Sequence, residues 1–521
     1  MRLPAILLSA VGLAAASAAL AGAAPAQLFQ QHCAACHGAD RYGISGPALL
    51  PESLERLKKA EALKTIREGR AATQMAGFAG RIDDAGITAL ADWIYTPAAA
   101  RPAWGEAEIR ASRLVQAAPG TLPDKPSERF RGVDMENLFI VVEAGDHHAT
   151  ILDGGRLEPI HRFATRFALH GGPKYSPDGR YIFLASRDGW ISKFDLWNLQ
   201  VVTEIRAGIN TRNLAVSSDG KWVMVANTLP QGLVLLDAEL NLVKLIETKG
   251  LQGGVSSRVS AVYDAAPRKS FVAALKDIPE IWEISYDPAA APIYEGYVHD
   301  YAMGEAIARL GYLNPRRIPL DGVLDDFFFD ASYANVMGAS RDGHGQVVNL
   351  DARRKIADLD LPGMPHLGSG ITWERQGRQV MASPNLRQGI VSVIDMKDWH
   401  SVAQIATNGP GFFIRSHEAT PYAWVDSMMG AKKDTLEIID KATLAKVAEV
   451  RPAPGKTLAH VEFTRDGRYV LASIWERLEE GGAIVVFDAR TFKEVKRIPM
   501  DKPVGKYNLF NKLTRSSGTS H

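Results

Sequence analysis

The 521-residue chain has only two cysteines, Cys33 and Cys36, three positions apart. That leaves nothing for a disulfide framework, so the long remainder must be held by its own hydrophobic core. Excess charge of either sign is also missing, with Lys+Arg at 60 and Asp+Glu at 59. Such a balance offers no basic face to nucleic acid. Long apolar runs are absent beyond residues 1–24, so no membrane span is expected in the mature chain. Residues 1–24 differ from the rest. Arg2 gives a positive start, Ile6 to Leu20 an apolar core, and Ala21-Gly22-Ala23-Ala24 a small-residue cleavage-like site. This is the pattern of a secretory signal peptide and implies the bacterial periplasm.

The two cysteines belong to Cys33-Ala34-Ala35-Cys36-His37. C-x-x-C-H is the attachment signature of a c-type haem. The thiols form thioethers to the porphyrin, and the adjacent imidazole of His37 reaches the iron. A redox C-x-x-C pair would instead open a helix in a βαβ unit, and no such unit is visible. Met75, in Thr73-Gln74-Met75-Ala76-Gly77-Phe78, is the candidate second axial ligand. Imidazole plus thioether raises the iron potential and suits electron transfer. Leu54 to Glu68 reads as an amphipathic helix with Ser53 as N-cap, and Asp83 to Tyr95 as a second. Residues 25–97 are therefore expected to form a small all-α cytochrome c domain. Residues 98–132, rich in Ala and Pro, read as a linker.

From about Val133 onward the chain repeats. Ser176-Pro177-Asp178-Gly179-Arg180-Tyr181, Ser217-Ser218-Asp219-Gly220-Lys221-Trp222 and Thr464-Arg465-Asp466-Gly467-Arg468-Tyr469 each precede an apolar strand, a loop and a second strand ending in Asp. Asp-Gly between apolar runs is a hairpin signal, and four strands per forty or so residues signal a β-propeller. Weaker copies start near Met135, Ser256, Phe327, Ile371 and Phe412. Residues 133–521 are thus expected to form an all-β eight-bladed propeller, with Tyr301 to Leu324 as an insertion.

His170, His366 and His460 share one phase of the repeat, the entry to a blade's innermost strand. Residues at such entries converge on the central channel although distant in sequence. Lys174, Arg212 and Arg258 share that phase. A mouth of imidazoles and cations suits a polycarboxylate carrying iron. His417 and the pair His147-His148 fall in other phases and are left outside the site.

A cytochrome c domain fused to an eight-bladed propeller resembles the cytochrome cd1 family. The resemblance spans essentially the whole mature chain. Besides Cys33 to His37, it rests on Asp134-Met135-Glu136-Asn137-Leu138-Phe139, Ser186-Arg187-Asp188-Gly189, Asp195-Leu196-Trp197 and Gly505-Lys506-Tyr507-Asn508-Leu509-Phe510-Asn511. It implies that the propeller holds haem d1, with His170 as proximal iron ligand and Arg187 and Arg212 as basic positions of its pocket. The nitrite reductases of this family use two distal histidines. His366 matches one, but Ala274 to Glu280 has no histidine for the other, and Ser369 stands where the family has an arginine. The chain instead resembles the branch that completes haem d1 biosynthesis by oxidising a propionate of dihydro-haem d1 to an acrylate. His460 fits that branch. The resemblance implies proton removal or substrate orientation by His366 and His460, a substrate hydrogen bond from Tyr507, and carboxylate binding by Lys174 and Arg212. It also implies electron exit through haem c to a periplasmic acceptor, and the nitrite reductase as recipient of the product. Nitrite reduction and non-catalytic carriage of haem d1 are the competing readings.

Overall fold

Asp-Gly turns set the local architecture. In each strong repeat the aspartate accepts the backbone N–H two residues on: Arg180 to Asp178 at 3.1 Å, Lys221 to Asp219 at 3.1 Å and Arg468 to Asp466 at 3.0 Å. The preceding hydroxyl closes the turn, Ser217 Oγ donating to Asp219 at 2.6 Å and accepting from Trp222 N–H at 2.9 Å. The glycine sits at positive φ, +72° for Gly179 and +68° for Gly467, where a side chain is strained. A second device recurs before the outermost strand. Asp237 and Asp488 collect N–H donors, and an apolar residue follows in the left-handed region, Leu240 at φ +59° and Phe492 at +61°. The Leu240 side chain is buried, so packing offsets the backbone cost.

The computed structural model describes residues 24–54, 57–70, 75–100, 102–250, 254–294, 308–341 and 343–514. The signal-peptide reading lies outside these, apart from Ala24. Eight antiparallel sheets form the propeller blades, seven of four strands and one of five, with the inner strands of neighbouring blades meeting each other. Blade 1 joins the two ends of the propeller. Leu138–Glu143, His148–Asp153 and Glu158–Ala164 come from its start, and the innermost strand, Pro503–Asn508, comes from its end. Ile140 pairs with Tyr507 and Val141 with Lys506. The inner strands of blades 2 to 8 begin at Lys174, Asn210, Val259, Asp326, Ile371, Ile414 and Leu458. Apolar clusters between neighbouring sheets make a ring of cores, such as Trp424, Ile438, Val461 and Phe463 between blades 7 and 8.

Two expectations need correction. Pro315–Pro319 lies within the stretch read as an insertion, yet it forms the outer strand of blade 4, pairing with Glu280–Ser285. Proline is tolerated there because an edge strand leaves N–H groups unpaired. The helix expected from Leu54 begins only at Lys59 and has no side-chain cap. Leu54 is buried from a non-helical segment that follows a short turn at Pro51–Ser53. The second helix is Asp84–Ile94, with Asp83 accepting Gly86 N–H at 2.7 Å as N-cap.

The N-terminal helices pack as Phe29, Ile66, Ile87, Leu90 and Ile94 around Cys33. Arg41 is buried, stacks on Trp93 at 4.6 Å and donates to the last carbonyls of that helix, Ile94 O at 3.1 Å among them. The stretch read as a linker carries a helix, Glu106–Ala111, and adds Leu114–Val115 to the outer edge of blade 2. Ala48 and Leu50 of the helical part pack on Ile209 and Leu229 of blade 3. Beside them Arg206 donates to Tyr42 O, and Trp104 Nε1 donates to Arg206 O at 2.8 Å.

Removing residues 503–521 takes the inner strand from blade 1 and leaves Leu138–Glu143 unpaired on one side. We expect such a truncation to lose the cooperative unfolding transition of the propeller. A cooperative transition within about 5 °C of the intact chain would show that closure is dispensable.

Candidate active site

Inner-strand entries from all around the ring line one central cavity of about 660 Å³. His170, Arg212, His366, His460 and Tyr507 are all on its wall. They come from the loop before blade 2, the inner strand of blade 3, the loop before blade 6, the inner strand of blade 8 and the closing strand of blade 1.

Backbone carbonyls select the tautomers of two of these histidines. His170 Nδ1 is 2.6 Å from Arg212 O, so this nitrogen carries the proton and Nε2 the lone pair. Two guanidinium groups meet that lone pair, Arg187 Nη2 at 2.9 Å and Arg212 Nη1 at 3.0 Å. Arg187 thus enters the site through His170. His366 Nδ1 is 2.9 Å from Phe412 O and 2.8 Å from Ser369 Oγ, whose own hydroxyl donates to Phe412 O at 2.6 Å. Its lone pair is therefore also on Nε2. Burial lowers the His366 pKa below the ordinary imidazole value. A carbonyl on Nδ1 also orients a metal-binding imidazole and raises its basicity.

His460 is held differently. It is a bulge within its strand rather than the strand's entry, with the register shifting between Ala459 and Val461. Its φ is +55°, and its side chain is 2 % exposed. The fully buried Lys506 ammonium donates to His460 O and to Ser473 Oγ at 2.8 Å. His460 Nε2 is buried with no protein partner. Burial first, then the Lys506, Arg415 and Lys512 cations, hold this imidazole far below its usual pKa, hence neutral. Its ring stands edge-on to Tyr507 at 5.0 Å and packs on Phe413 at 4.7 Å. Tyr507 keeps its proton, burial pushing the phenol up to about 12. Gly172 and Gly505 cradle that ring. A Cβ at Gly172 would lie 2.7 Å from Tyr507 Cε1.

Lys174 is not on the cavity wall; its Nζ is 5.9 Å from the centre of the Tyr263 ring, which is. Arg258 pairs with Asp277 at 2.6 Å and lines a separate, smaller cavity. His417 and His147 lie off the central wall. The sequence reading did not single out Arg415, Phe412, Phe413, Asp326 or Lys506. Phe412 marks only a weak repeat, and the others converge only once the ring closes.

In the helical part, Cys33 is buried and Cys36 exposed. His37 Nδ1 lies 2.8 Å from Pro47 O, so Nε2 carries its lone pair too. Gly46 leaves room for the ring, since a Cβ there would be 2.9 Å from His37 Cε1. Met75 is half-buried in the loop that follows, its carbonyl accepting Arg70 N–H at 2.9 Å.

The donor set fits a carboxylate-bearing iron tetrapyrrole. The cavity offers Nε2 lone pairs, guanidinium groups and apolar walls, and the helical part offers two thiols and a poised imidazole.

A helical C-x-x-C-H domain joined to an eight-bladed propeller with imidazoles in its central cavity defines the cytochrome cd1 class. Residues 133–512 match the Cytochrome D1 heme domain, and the chain belongs to that family. Residues 20–94 match the cbb3-type cytochrome c oxidase subunit III. The chain is 53 % identical to a dihydro-heme d1 dehydrogenase of Pseudomonas aeruginosa, over 98 % of its own length and 99 % of the relative's. It is 23 % identical to a nitrite reductase of Stutzerimonas stutzeri, over 97 % of each chain. A solved structure of dihydro-heme d1 dehydrogenase NirN in complex with DHE superposes with a TM-score of 0.85 at 52 % identity, covering 94 % of this chain and all of that one.

One buried carboxyl ties the wall together. Asp426 accepts Phe412 N–H at 2.8 Å and Phe413 N–H at 2.9 Å, while burial raises it to about 6. The native state therefore keeps this proton to about pH 6, while an unfolded chain releases it near 3.8. Between those values the native state binds more protons, so unfolding free energy falls as pH rises. Denaturation curves at several pH values should show the wild type losing stability relative to Asp426→Asn across this window. Parallel curves would mean that Asp426 ionises normally.

Proposed function

We propose that this protein is a periplasmic oxidoreductase of haem d1 biosynthesis that oxidises a propionate of dihydro-haem d1 to an acrylate. The convergence of His170, His366, His460 and Tyr507 on one cavity carries this reading. The near-full-length likeness to a dihydro-heme d1 dehydrogenase supports it. No helix among the described residues is long and apolar enough to cross a membrane. Residues 1–24 act as signal peptide, 25–97 as the haem c domain, 98–132 as connector and 133–521 as the substrate-binding propeller.

Forming the double bond removes two electrons and two protons from a CH₂–CH₂ unit. His170 would offer Nε2 to the substrate iron once the Arg187 and Arg212 guanidinium groups hydrogen-bonded to that nitrogen move aside. Arg212 supplies positive charge for the substrate carboxylates, and Lys174, off the cavity wall behind Tyr263, does not reach them. His366 and His460 would take up or orient the two departing protons, His366 through its Nε2 lone pair, while the protonated Tyr507 fixes the side chain that reacts. Cys33 and Cys36 would hold haem c covalently, and His37 and Met75 would supply the side chains for its iron. Haem c supplies a one-electron relay to an external periplasmic acceptor. The finished haem d1 passes to the cytochrome cd1 nitrite reductase of denitrification. Nitrite reduction is disfavoured because the turn at Ala274 to Glu280 has no histidine and does not line the cavity.

Anaerobic mixing with dihydro-haem d1 should reduce haem c as the d1 spectrum appears. A d1 spectrum that never develops would reject the reading. His366→Ala should still bind substrate but turn over about 10²- to 10⁴-fold more slowly, and normal turnover would remove His366 from the chemistry. Gly46→Val should displace the His37 ring and abolish the low-spin haem c spectrum, which a retained spectrum would contradict.

A further inference from the structure

Arg415 lies on the inner strand of blade 7, Ile414–Ser416, and faces the central cavity. It is 3 % exposed. Among the described residues its hydrogen bonds go only to neutral carbonyls, Nη1 donating to Ser369 O at 3.1 Å and Ile414 O at 2.7 Å. Its Nε is buried without a partner. Among the described residues no carboxylate lies within ion-pair distance of it, although Glu462 and Asp426 act on it from further off. Asp426 is engaged elsewhere, and Glu462 through one oxygen only, its Oε2 being buried without a hydrogen-bond partner among the described residues. Asp426 binds the Phe412 and Phe413 amides, and Glu462 accepts Asn511 Nδ2 at 3.1 Å. The acids on the cavity wall are engaged as well. Asp325 pairs with Lys276 at 2.9 Å, and Asp326 accepts the Tyr263 hydroxyl at 2.9 Å.

Arg41 and Arg206 are also buried on backbone carbonyls, but neither lines the central cavity, and further shielded arginines are ion-paired. Arg180 lies 3.0 Å from Asp195, and Arg268 lies 2.8 Å from Glu283. A buried guanidinium without an anion is costly. One that faces a cavity is a carboxylate site in waiting, because its planar donors match a carboxylate.

The neighbours of Arg415 say which carboxylate. Its guanidinium is 6.0 Å from the Phe413 ring, which packs on His460 at 4.7 Å and stands edge-on to His366 at 6.3 Å. Ser369, whose carbonyl it binds, also contacts His366 Nδ1.

We propose that Arg415 is the anchor for the carboxylate of the reacting propionate and so determines which side chain of the substrate is oxidised. This rests on the reading of the cavity as a dihydro-haem d1 site.

The test is an anaerobic absorption titration of the haem c-loaded protein with dihydro-haem d1, and with the same macrocycle methyl-esterified at its side-chain carboxylates. Arg415→Met should weaken binding of the acid about 10- to 100-fold and leave ester binding within about twofold, while Arg415→Lys recovers part of the preference for the acid. Equal weakening of acid and ester would make Arg415 a structural residue and overturn the proposal, as would unchanged acid binding. A wild-type protein that takes up neither form would instead reject the d1 reading, and the anchor with it.

Discussion

The last strand of the propeller is the first thing the site needs. Pro503–Asn508 closes blade 1, and two of its neighbouring residues serve the cavity in opposite ways. Successive strand residues point to opposite faces. Tyr507 therefore turns its ring to the cavity while Lys506 turns inward, beneath His460. Among the described residues the Lys506 amino group has no ion-pair partner, and it donates to His460 O and Ser473 Oγ. Burial drives its pKa far below the ordinary lysine value. What it secures is a left-handed bulge that no β-strand adopts unaided. Ring closure and the placement of His460 are thus one event, spanning the two ends of a fold of nearly four hundred residues.

The charge pattern around the cavity follows one rule. Each imidazole that presents a lone pair has its other nitrogen on a carbonyl: Arg212 O for His170, Phe412 O for His366 and Pro47 O for His37. A carbonyl fixes the tautomer without adding charge, and for His366 and His37 it is burial that lowers the pKa, against the upward pull of that carbonyl. His460 lacks that carbonyl and is surrounded by cations, which add to burial in keeping it neutral. Two kinds of neutral histidine then face one space, one kind ready to donate a lone pair and the other too poorly basic to be charged.

Much of this was legible because propeller turns are written in local chemistry. Asp-Gly after Ser or Thr specifies a turn within six residues, so three blades announce themselves and set the period for the rest. His170 and His366 could be found by phase, since a strand entry occupies a fixed place in the repeat. His460 was found by the same argument, although a bulge rather than an entry aims it inward. Arg415 and Lys506 were out of reach. Each is a cation in an apolar strand, ordinarily read as a solvated charge, and its burial depends on which blades become neighbours. The outer strand of blade 4 was missed because Pro315–Pro319 is framed by residues that usually end strands, and an outer edge tolerates what an inner position does not.

The join between the helical part and the propeller uses the same economy of charge. Arg206 lies on the outer strand of blade 2 with its guanidinium 4.7 Å from the Trp104 ring, donating to Asp188 O at 2.8 Å and to Tyr42 O. Tyr42 follows His37 by five residues, in the loop that also supplies Pro47. One cation therefore links the backbone that orients His37 to the turn of blade 2, and Arg187 of that same turn reaches His170. The contact is small, with Ala48, Leu50, Ile209 and Leu229 as its apolar part. A contact of this kind holds the loop around His37 against blade 2 through backbone carbonyls. Among the described residues it does so without an ion pair, whose strength would vary with salt.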